Sequence, residues 1–444
     1  MRLLAIPLFT SMLAAAPAST ATPTFYKDVL PILQNRCQEC HRSGEAAPMA
    51  FGSYAEVRPW AKAIQQAVLK HQMPPWYADP HFGKFANDRS MPESEIKTLS
   101  DWATSGAPQG NAKDAPKPAT FPTGWTMGKP DAIFDIGMDY KIPASGKIDY
   151  TYFIVPTNFT EDKWVKDLEV RPGDRAVVHH LVLYARPKTS KFLSFAKPGM
   201  PFVAPEEQAP DPSKRPPQND RASFYGINAN GYEMVGVYVP GGLAYKTLDG
   251  QARLIPAGAD LVFQVHYTTN GKETTDRSKV GIIFAKEPPK ERVVNTFLVN
   301  ASLRIPPGAP DHKVFGRITL AQDTKIQSFF PHMHVRGKAY EYVATYPTGE
   351  KQTLLKVPAY DFNWQLTYYL DKPVVLPKGT VLEGIATYDN SPNNKSNPDP
   401  SKEVFWGEQT WEEMFAGFLD IAIPADMNPT EIVRPKKPAT GALE

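Results

Sequence analysis

The chain has 444 residues, 42% hydrophobic and 22% charged, with 49 basic against 47 acidic side chains and a formal charge of +2. These values exclude a disordered or fibrous protein, and the balanced charge provides no basis for a nucleic-acid or anionic-membrane partner. The length implies two or three domains, and 45 prolines favour short strands, turns and linkers over long helices. Only two cysteines occur, Cys37 and Cys40, against nine histidines and twelve methionines.

At the start of the chain, Arg2 precedes an apolar run over residues 3–9. A small-residue stretch follows, in which Ala16-Pro17-Ala18 and Ser19-Thr20-Ala21 offer cleavage sites. This charged, apolar, small-residue order is that of a secretory signal peptide, assigned to residues 1–21. The apolar run is well short of the ~20 residues that span a bilayer, and no other stretch approaches that length. The expectation is an exported protein, periplasmic or secreted, without stable membrane insertion.

Next comes Cys37-Gln38-Glu39-Cys40-His41, a C-x-x-C-H motif. Two thiols at this spacing form thioethers to haem, and the following histidine ligates the iron, so covalent haem c is expected here. A redox dithiol or half a zinc site are the other readings; an exported chain without a second cysteine pair weakens zinc, and a dithiol needs no histidine. Phe25, Val29 and Leu33 share one helix face, Val57, Ala61, Ile64 and Val68 another, and Ile96, Leu99 and Ala103 a third before Gly106. This arrangement resembles a class I cytochrome c, which implies a small all-α cytochrome c domain over residues 22–109. The second axial ligand expected from that pattern is Met73, in Met73-Pro74-Pro75-Trp76, ahead of Met91, His71 or His81.

Residues 110–123, rich in proline and alanine, read as a linker. Strands are predicted beyond it over 150–155, 176–185, 260–269, 280–285, 338–346, 352–357, 364–370 and 381–388. So many short strands predict two all-β, jelly-roll-like sandwiches in series, over residues 124–290 and 291–436. Residues 186–232 carry repeated prolines and are too long for an idle connection.

Five of the six histidines beyond the linker fall in clusters on predicted strands: His179-His180, His266, and His332-Met333-His334. Residues i and i+2 of a strand share a face, so His332 and His334 can reach one ion. Adjacent His179 and His180 normally point to opposite faces, so a shared ion requires a bulge, a strand end or ligation through the nearer ring nitrogen. Each histidine alone reads as structural; three clusters in one exported chain read as shared metal binding. With both cysteines committed to haem, imidazole and thioether donors favour copper, with zinc on histidines as the other candidate.

The ordered set His-His, Gln-Val-His-Tyr, His-x-His and Glu-Glu-Met resembles the copper type II, ascorbate-dependent monooxygenases, the family of the peptidylglycine α-hydroxylating and dopamine β-monooxygenases. The resemblance covers about residues 125–425. It implies two copper ions, one electron-transfer copper on His179, His180 and His266, and one oxygen-activating copper on His332, His334 and Met414, from Trp411-Glu412-Glu413-Met414. It also implies a monooxygenase, an oxidoreductase hydroxylating a C–H bond with dioxygen. The fused haem motif suggests that a periplasmic donor reduces the haem, which relays electrons to the first copper. Where the peptide-hydroxylating enzyme has arginine, asparagine and tyrosine against its substrate, this chain has Phe330, Ala416 and Phe418. A peptide carboxylate would be buried there without a partner, so an apolar or aromatic small molecule is expected instead. The alternative class is a non-catalytic electron-transfer or copper-binding protein carrying the same ligands.

Overall fold

A computed structural model describes residues 22–45, 47–122, 124–203, 231–242, 244–407 and 409–433. The expected signal segment, residues 204–230 of the irregular stretch and the chain beyond residue 433 lie outside the described residues. No helix among the described residues is long and apolar enough to cross a membrane.

The chain is predominantly β. Two sandwiches share one nine-stranded sheet, whose main path runs Ala132–Asp135, Lys279–Phe284, Lys163–Arg171, Gln251–Ile255, Glu291–Val299, Ala416–Pro424, Thr324–His332, Tyr368–Leu376. The two halves join where Glu291 and Arg292 pair in parallel with Gln251 and Ala252. A five-stranded sheet centred on Thr151–Pro156, Asp260–Tyr267 and Val178–Arg186 covers the first half, and a four-stranded sheet containing Val381–Tyr388 and Gly337–Thr345 covers the second.

Strand alternation decides what each face meets. Leu181, Leu183, Leu261, Phe263 and Val265 point into the first core, whereas Val294, Leu298, Phe329, Leu419 and Ile421 point into the second. The alternate residues, including His180, Gln264 and His266 on one sandwich and Asn295, Phe297, Phe330, His332, Ala416 and Phe418 on the other, therefore face out of their own cores. A continuous sheet thus brings the outer faces of the two sandwiches together. A buried polar network lies at this junction. Glu233 pairs with Arg292 at 3.1 Å and Arg253 at 3.5 Å, and Arg253 reaches Asp420 at 2.7 Å.

The expected all-α cytochrome c domain over residues 22–109 requires correction. Strand makes up 37% of the described residues and helix only 12%. Among the described residues, only the α-helices Ala61–Leu69, 9 residues, and Glu93–Thr104, 12 residues, exceed two turns on their own. Phe25, Leu33, Val57, Ile64, Ile96 and Leu99 do bury together, but the segment does not close on itself as a helical domain. Pro74, Pro75, Pro80 and Gly83 deny helix to its middle part. The backbone there finds its partners on the second sandwich instead. Asp79 N–H donates to the Lys356 carbonyl, Ala86 N–H to Tyr369 and Asp371 N–H to Lys84, each at 2.8 Å. Asn87 bonds Thr367 and Tyr369, while Trp76 and Phe85 pack against Tyr368.

Candidate functional site

The strand Val178–Arg186 pairs antiparallel with Asp260–Tyr267, and the register slips at one end: His266 faces His180, but Tyr267 faces Val178. His179 is the extra residue of a β-bulge, which releases it from strict alternation. One ligand atom from each of His179, His180 and His266 lies within 4.8 Å of the others. His179 Nδ1 and His180 Nδ1 are 3.1 Å apart. Two nitrogens each about 2.0–2.1 Å from one ion, at angles between a right angle and a tetrahedral one, are separated by about 3 Å.

Two further observations fit a metal. His266 Nδ1 is buried without a hydrogen-bond partner, an arrangement that costs free energy unless something ligates it. Burial also lowers all three imidazoles, His180 well below the ordinary value and His266 to about 3, with the neighbouring imidazoles adding to the effect in both. The rings are therefore neutral, which is the ligating form.

His332 is the last residue of the strand Thr324–His332, and His334 lies just beyond it. The pair comes together through the turn, not through strand alternation as the spacing predicts. The buried Glu413 carboxyl accepts the His334 N–H at 2.8 Å and the Arg336 N–H at 2.6 Å, which fixes that turn. Burial pushes this carboxyl up to about 8. The two imidazole centroids are 5.2 Å apart. His334 Nδ1 faces the Glu412 carbonyl at 3.3 Å; a carbonyl only accepts, so the proton sits on Nδ1 and Nε2 carries the lone pair. His332 Nδ1 meets Gln365 Oε1 at 2.6 Å, with the same consequence. An imidazole whose second nitrogen is held this way is oriented so that it could ligate a metal.

A cavity of about 440 Å³ lies between the outer faces of the two sandwiches, and His180, His332, His334 and Met414 all line it. The Met414 carbonyl accepts from the Tyr388 hydroxyl at 2.7 Å, anchoring the backbone beside the histidine pair. Phe330, Ala416 and Phe418 form part of the same wall, with Phe297, Phe192 and Tyr184 on other sides. Among the described residues, the one acidic group on the wall, Glu233, is engaged by Arg253 and Arg292.

A second cavity, of about 620 Å³, is lined by Cys37, Cys40, His41 and Met73, and also by His179 of the bulge. Its size is that of pockets that enclose cofactor-sized ligands. The cysteines are not joined in a disulfide. The His41 ring stacks on Phe51, centroids 4.3 Å apart and 3° from parallel. Its Nδ1 faces the Met49 carbonyl at 3.3 Å, leaving the Nε2 lone pair. These residues fit covalent haem: two thiols and a neutral, oriented imidazole on one wall, a thioether on the same cavity. Of the candidate axial ligands, Met73 lines the cavity, Met91 packs on the helical cluster, and His81 is exposed beside Asp79. Met49 is a further thioether on the wall that the motif pattern did not single out.

Several residues around the site carry no local signal: Phe362, Asn363 and Gln365, which reach the histidines from another strand connection. Glu413 belongs to the Glu-Glu-Met run, but its role in organising the His334 turn is not legible from it.

The chain matches no protein-family model and no curated protein. Solved structures that align with it include infectious bursal disease virus Gx strain, at 11% identity over 69% of this chain and 75% of that one, TM-score 0.19. The VP2 subviral particle of infectious bursal disease virus aligns at 10% identity over 68% and 74%, TM-score 0.19, and PNGF-II at 9% over 65% and 60%, TM-score 0.23. Scores at this level do not establish a shared fold.

Proposed function

We propose that this chain is an exported haem- and copper-dependent monooxygenase that hydroxylates a C–H bond of an apolar or aromatic small molecule with dioxygen. The observation that carries this reading is the placement of His179, His180 and His266 between two cavities: His180 shares one with His332, His334 and Met414, and His179 shares the other with Cys37, Cys40 and His41. Bound at these residues, haem c would supply single electrons and the two copper ions would store one and reduce dioxygen with another.

The chain's own residues prepare the site for that chemistry. Burial keeps the imidazoles deprotonated, and the Glu412 carbonyl and Gln365 amide turn the lone pairs of His334 and His332 outward from their Nδ1 protons. Phe330, Phe418 and Phe297 make the adjoining wall apolar, which orients a ring or alkyl group and excludes water. Among the described residues, no charged side chain beyond the engaged Glu233 lines this cavity, and Phe330, Ala416 and Phe418 offer a peptide carboxylate no partner. The electron donor to the haem would be a periplasmic reductant.

Metal content tests the reading. The full chain, matured in a host that attaches haem c and loaded with copper, is expected to hold one haem and two coppers, with one copper lost when His332 and His334 are changed to alanine. Met414→Ala is expected to abolish reductant-driven oxygen consumption. If oxygen consumption were unchanged while copper stayed bound, a non-catalytic electron-transfer or copper-binding protein would replace the enzyme reading. One haem without stoichiometric copper would overturn both.

A further inference from the structure

Residues 360–365, which connect the strands Lys351–Val357 and Tyr368–Leu376, touch both histidine groups. The Phe362 ring lies 5.9 Å from that of His179 with the planes 22° apart, 6.5 Å from His266 and 6.2 Å from His334. One aromatic ring thus contacts the first group and the second at once. Asn363 hydrogen-bonds His179. The Tyr360 hydroxyl accepts from the Met333 N–H at 3.2 Å and donates to the Met333 carbonyl at 2.7 Å, clamping the residue between His332 and His334.

Gln365 completes the set. It is buried, and its Nε2 donates to the Phe362 carbonyl at 3.3 Å, which orients the amide so that Oε1 faces His332 Nδ1. An amide oxygen only accepts, so this contact holds the His332 proton on Nδ1 and the lone pair on Nε2.

We infer that residues 360–365 are a positioning segment shared by the two histidine groups: Gln365 and Tyr360 set the His332–His334 pair, Phe362 and Asn363 set His179, and a change at one group is transmitted to the other. The inference rests on the reading of these histidines as metal ligands, and its test begins without metal. In the full, reduced, copper-free chain, ¹⁵N NMR of the histidine rings is expected to show His332 as the Nδ1–H tautomer. Gln365→Leu should lose that tautomer and Gln365→Glu should keep it. A wild-type His332 protonated on Nε2, or a tautomer indifferent to Gln365→Leu, would overturn the role of Gln365.

Copper(II) is then added and its content and EPR hyperfine splitting are followed. Loss of an outer hydrogen bond to a ligating histidine costs about 10–100-fold in metal affinity, which is the effect expected at the second group in Gln365→Leu. Phe362→Ala should shift the signals of both coppers, and Phe362→Leu, which keeps the volume and the fold, should shift them less. Two bound coppers with both spectra unmoved in Phe362→Ala would overturn the shared role. A wild type that binds no copper would overturn the proposed function, while the NMR result would still decide the role of Gln365.

Discussion

Gly241, in a loop of the first sandwich, lies against Cys40 of the C-x-x-C-H motif. A Cβ added at this glycine would stand 3.0 Å from Cys40 Sγ and 2.7 Å from Arg89 Nη1, and its φ of +72° is one that L side chains rarely adopt. Arg89 in turn donates to the Gly241 carbonyl. The contact packs this loop of the sandwich against the C-x-x-C-H segment. Gly241→Val is expected to destabilise the chain by about 1–3 kcal/mol through overpacking and backbone strain and to lower the haem attached per chain. Denaturant titration and the haem absorbance per chain measure the two effects.

Burial determines the reactivity of the neighbouring thiol. It pushes Cys37 up to about 12 from an ordinary value of 9.0, with Cys40 and Glu95 adding to the effect and Arg36 opposing it. In a haem-free chain at pH 8, the folded state should therefore hold about a thousandfold less Cys37 thiolate than the unfolded state, and alkylation should be slow until denaturant is added. The sign of the linkage follows. Above pH 9 the unfolded thiol releases a proton that the folded one retains, so this group's contribution to stability falls as pH rises from about 9 towards 12. Rapid alkylation of the folded chain at pH 8, read by mass spectrometry, would contradict it.

The junction of the sandwiches should be intolerant of single truncations. Glu233 and Arg253 are buried, and Glu233 also accepts the Asn295 N–H at 3.2 Å, while Asn295 and Ser328 both donate to Asp420. Removing one member leaves an opposite charge buried without compensation, so Glu233→Ala and Arg253→Ala are each expected to cost about 3–5 kcal/mol. Their double mutant should cost less than the sum, because each single change already breaks the same pair. Additive losses in urea unfolding would show that the two side chains act independently.

The histidines are legible because they stand out from the strands that carry them; strict alternation would separate His179 from His180, and of the arrangements the sequence leaves open the register shows a bulge. His332 and His334 are expected on a strand, but the extent of the strand Thr324–His332 is not marked in the sequence. Lys325, Gln327, Ser328 and Pro331 interrupt its apolar pattern, and its outward face, carrying Phe330 and His332, is buried against the other sandwich, so neither alternation nor a continuous apolar run marks it. A strand was expected over residues 364–370, but it begins at Tyr368 because Gln365 belongs to the connection that reaches His332. The apolar spacing of Phe25, Val29 and Leu33 identified a buried face; the pairing of residues 79–86 with Lys356 and Tyr369 depends on contacts remote in sequence, and it is what defeats the reading of a separate helical domain.

That pairing can be tested directly. Asn87 accepts the Tyr369 N–H at 3.0 Å and donates to the Thr367 carbonyl at 2.8 Å, and Phe85 packs edge-on against both Trp76 and Tyr368. Asn87→Ala should leave two backbone groups without their partner, and Phe85→Ala should remove a partly buried ring; each is expected to cost about 1–3 kcal/mol. The loss should be local as well as global, with proteolytic cleavage between residues 70 and 92 rising before the sandwiches unfold. Because Met73 lies at one end of this tract and Arg89 at the other, both on the cavity of Cys37 and Cys40, the two variants should also lower haem retention. Cleavage rates equal to wild type would mean that the tract is held by the helical cluster and not by the sandwich.

Metal removal supplies the last test. An ion that binds the folded chain and not the unfolded one raises stability by RT ln(1 + [L]/Kd), about 2.7 kcal/mol at a hundredfold excess over Kd. His266 Nδ1 is buried without a partner in the ion-free arrangement, so copper should raise the melting temperature of the wild type and a chelator should reverse the rise. His266→Ala removes a ligand together with the unsatisfied nitrogen. Its ion-free stability should therefore fall by less than cavity formation alone implies, while its response to copper shrinks. His312→Ala, remote from both clusters in the sequence, is the control that should keep the full response. Equal copper responses in His266→Ala and wild type would place the stabilising ion somewhere other than the bulge.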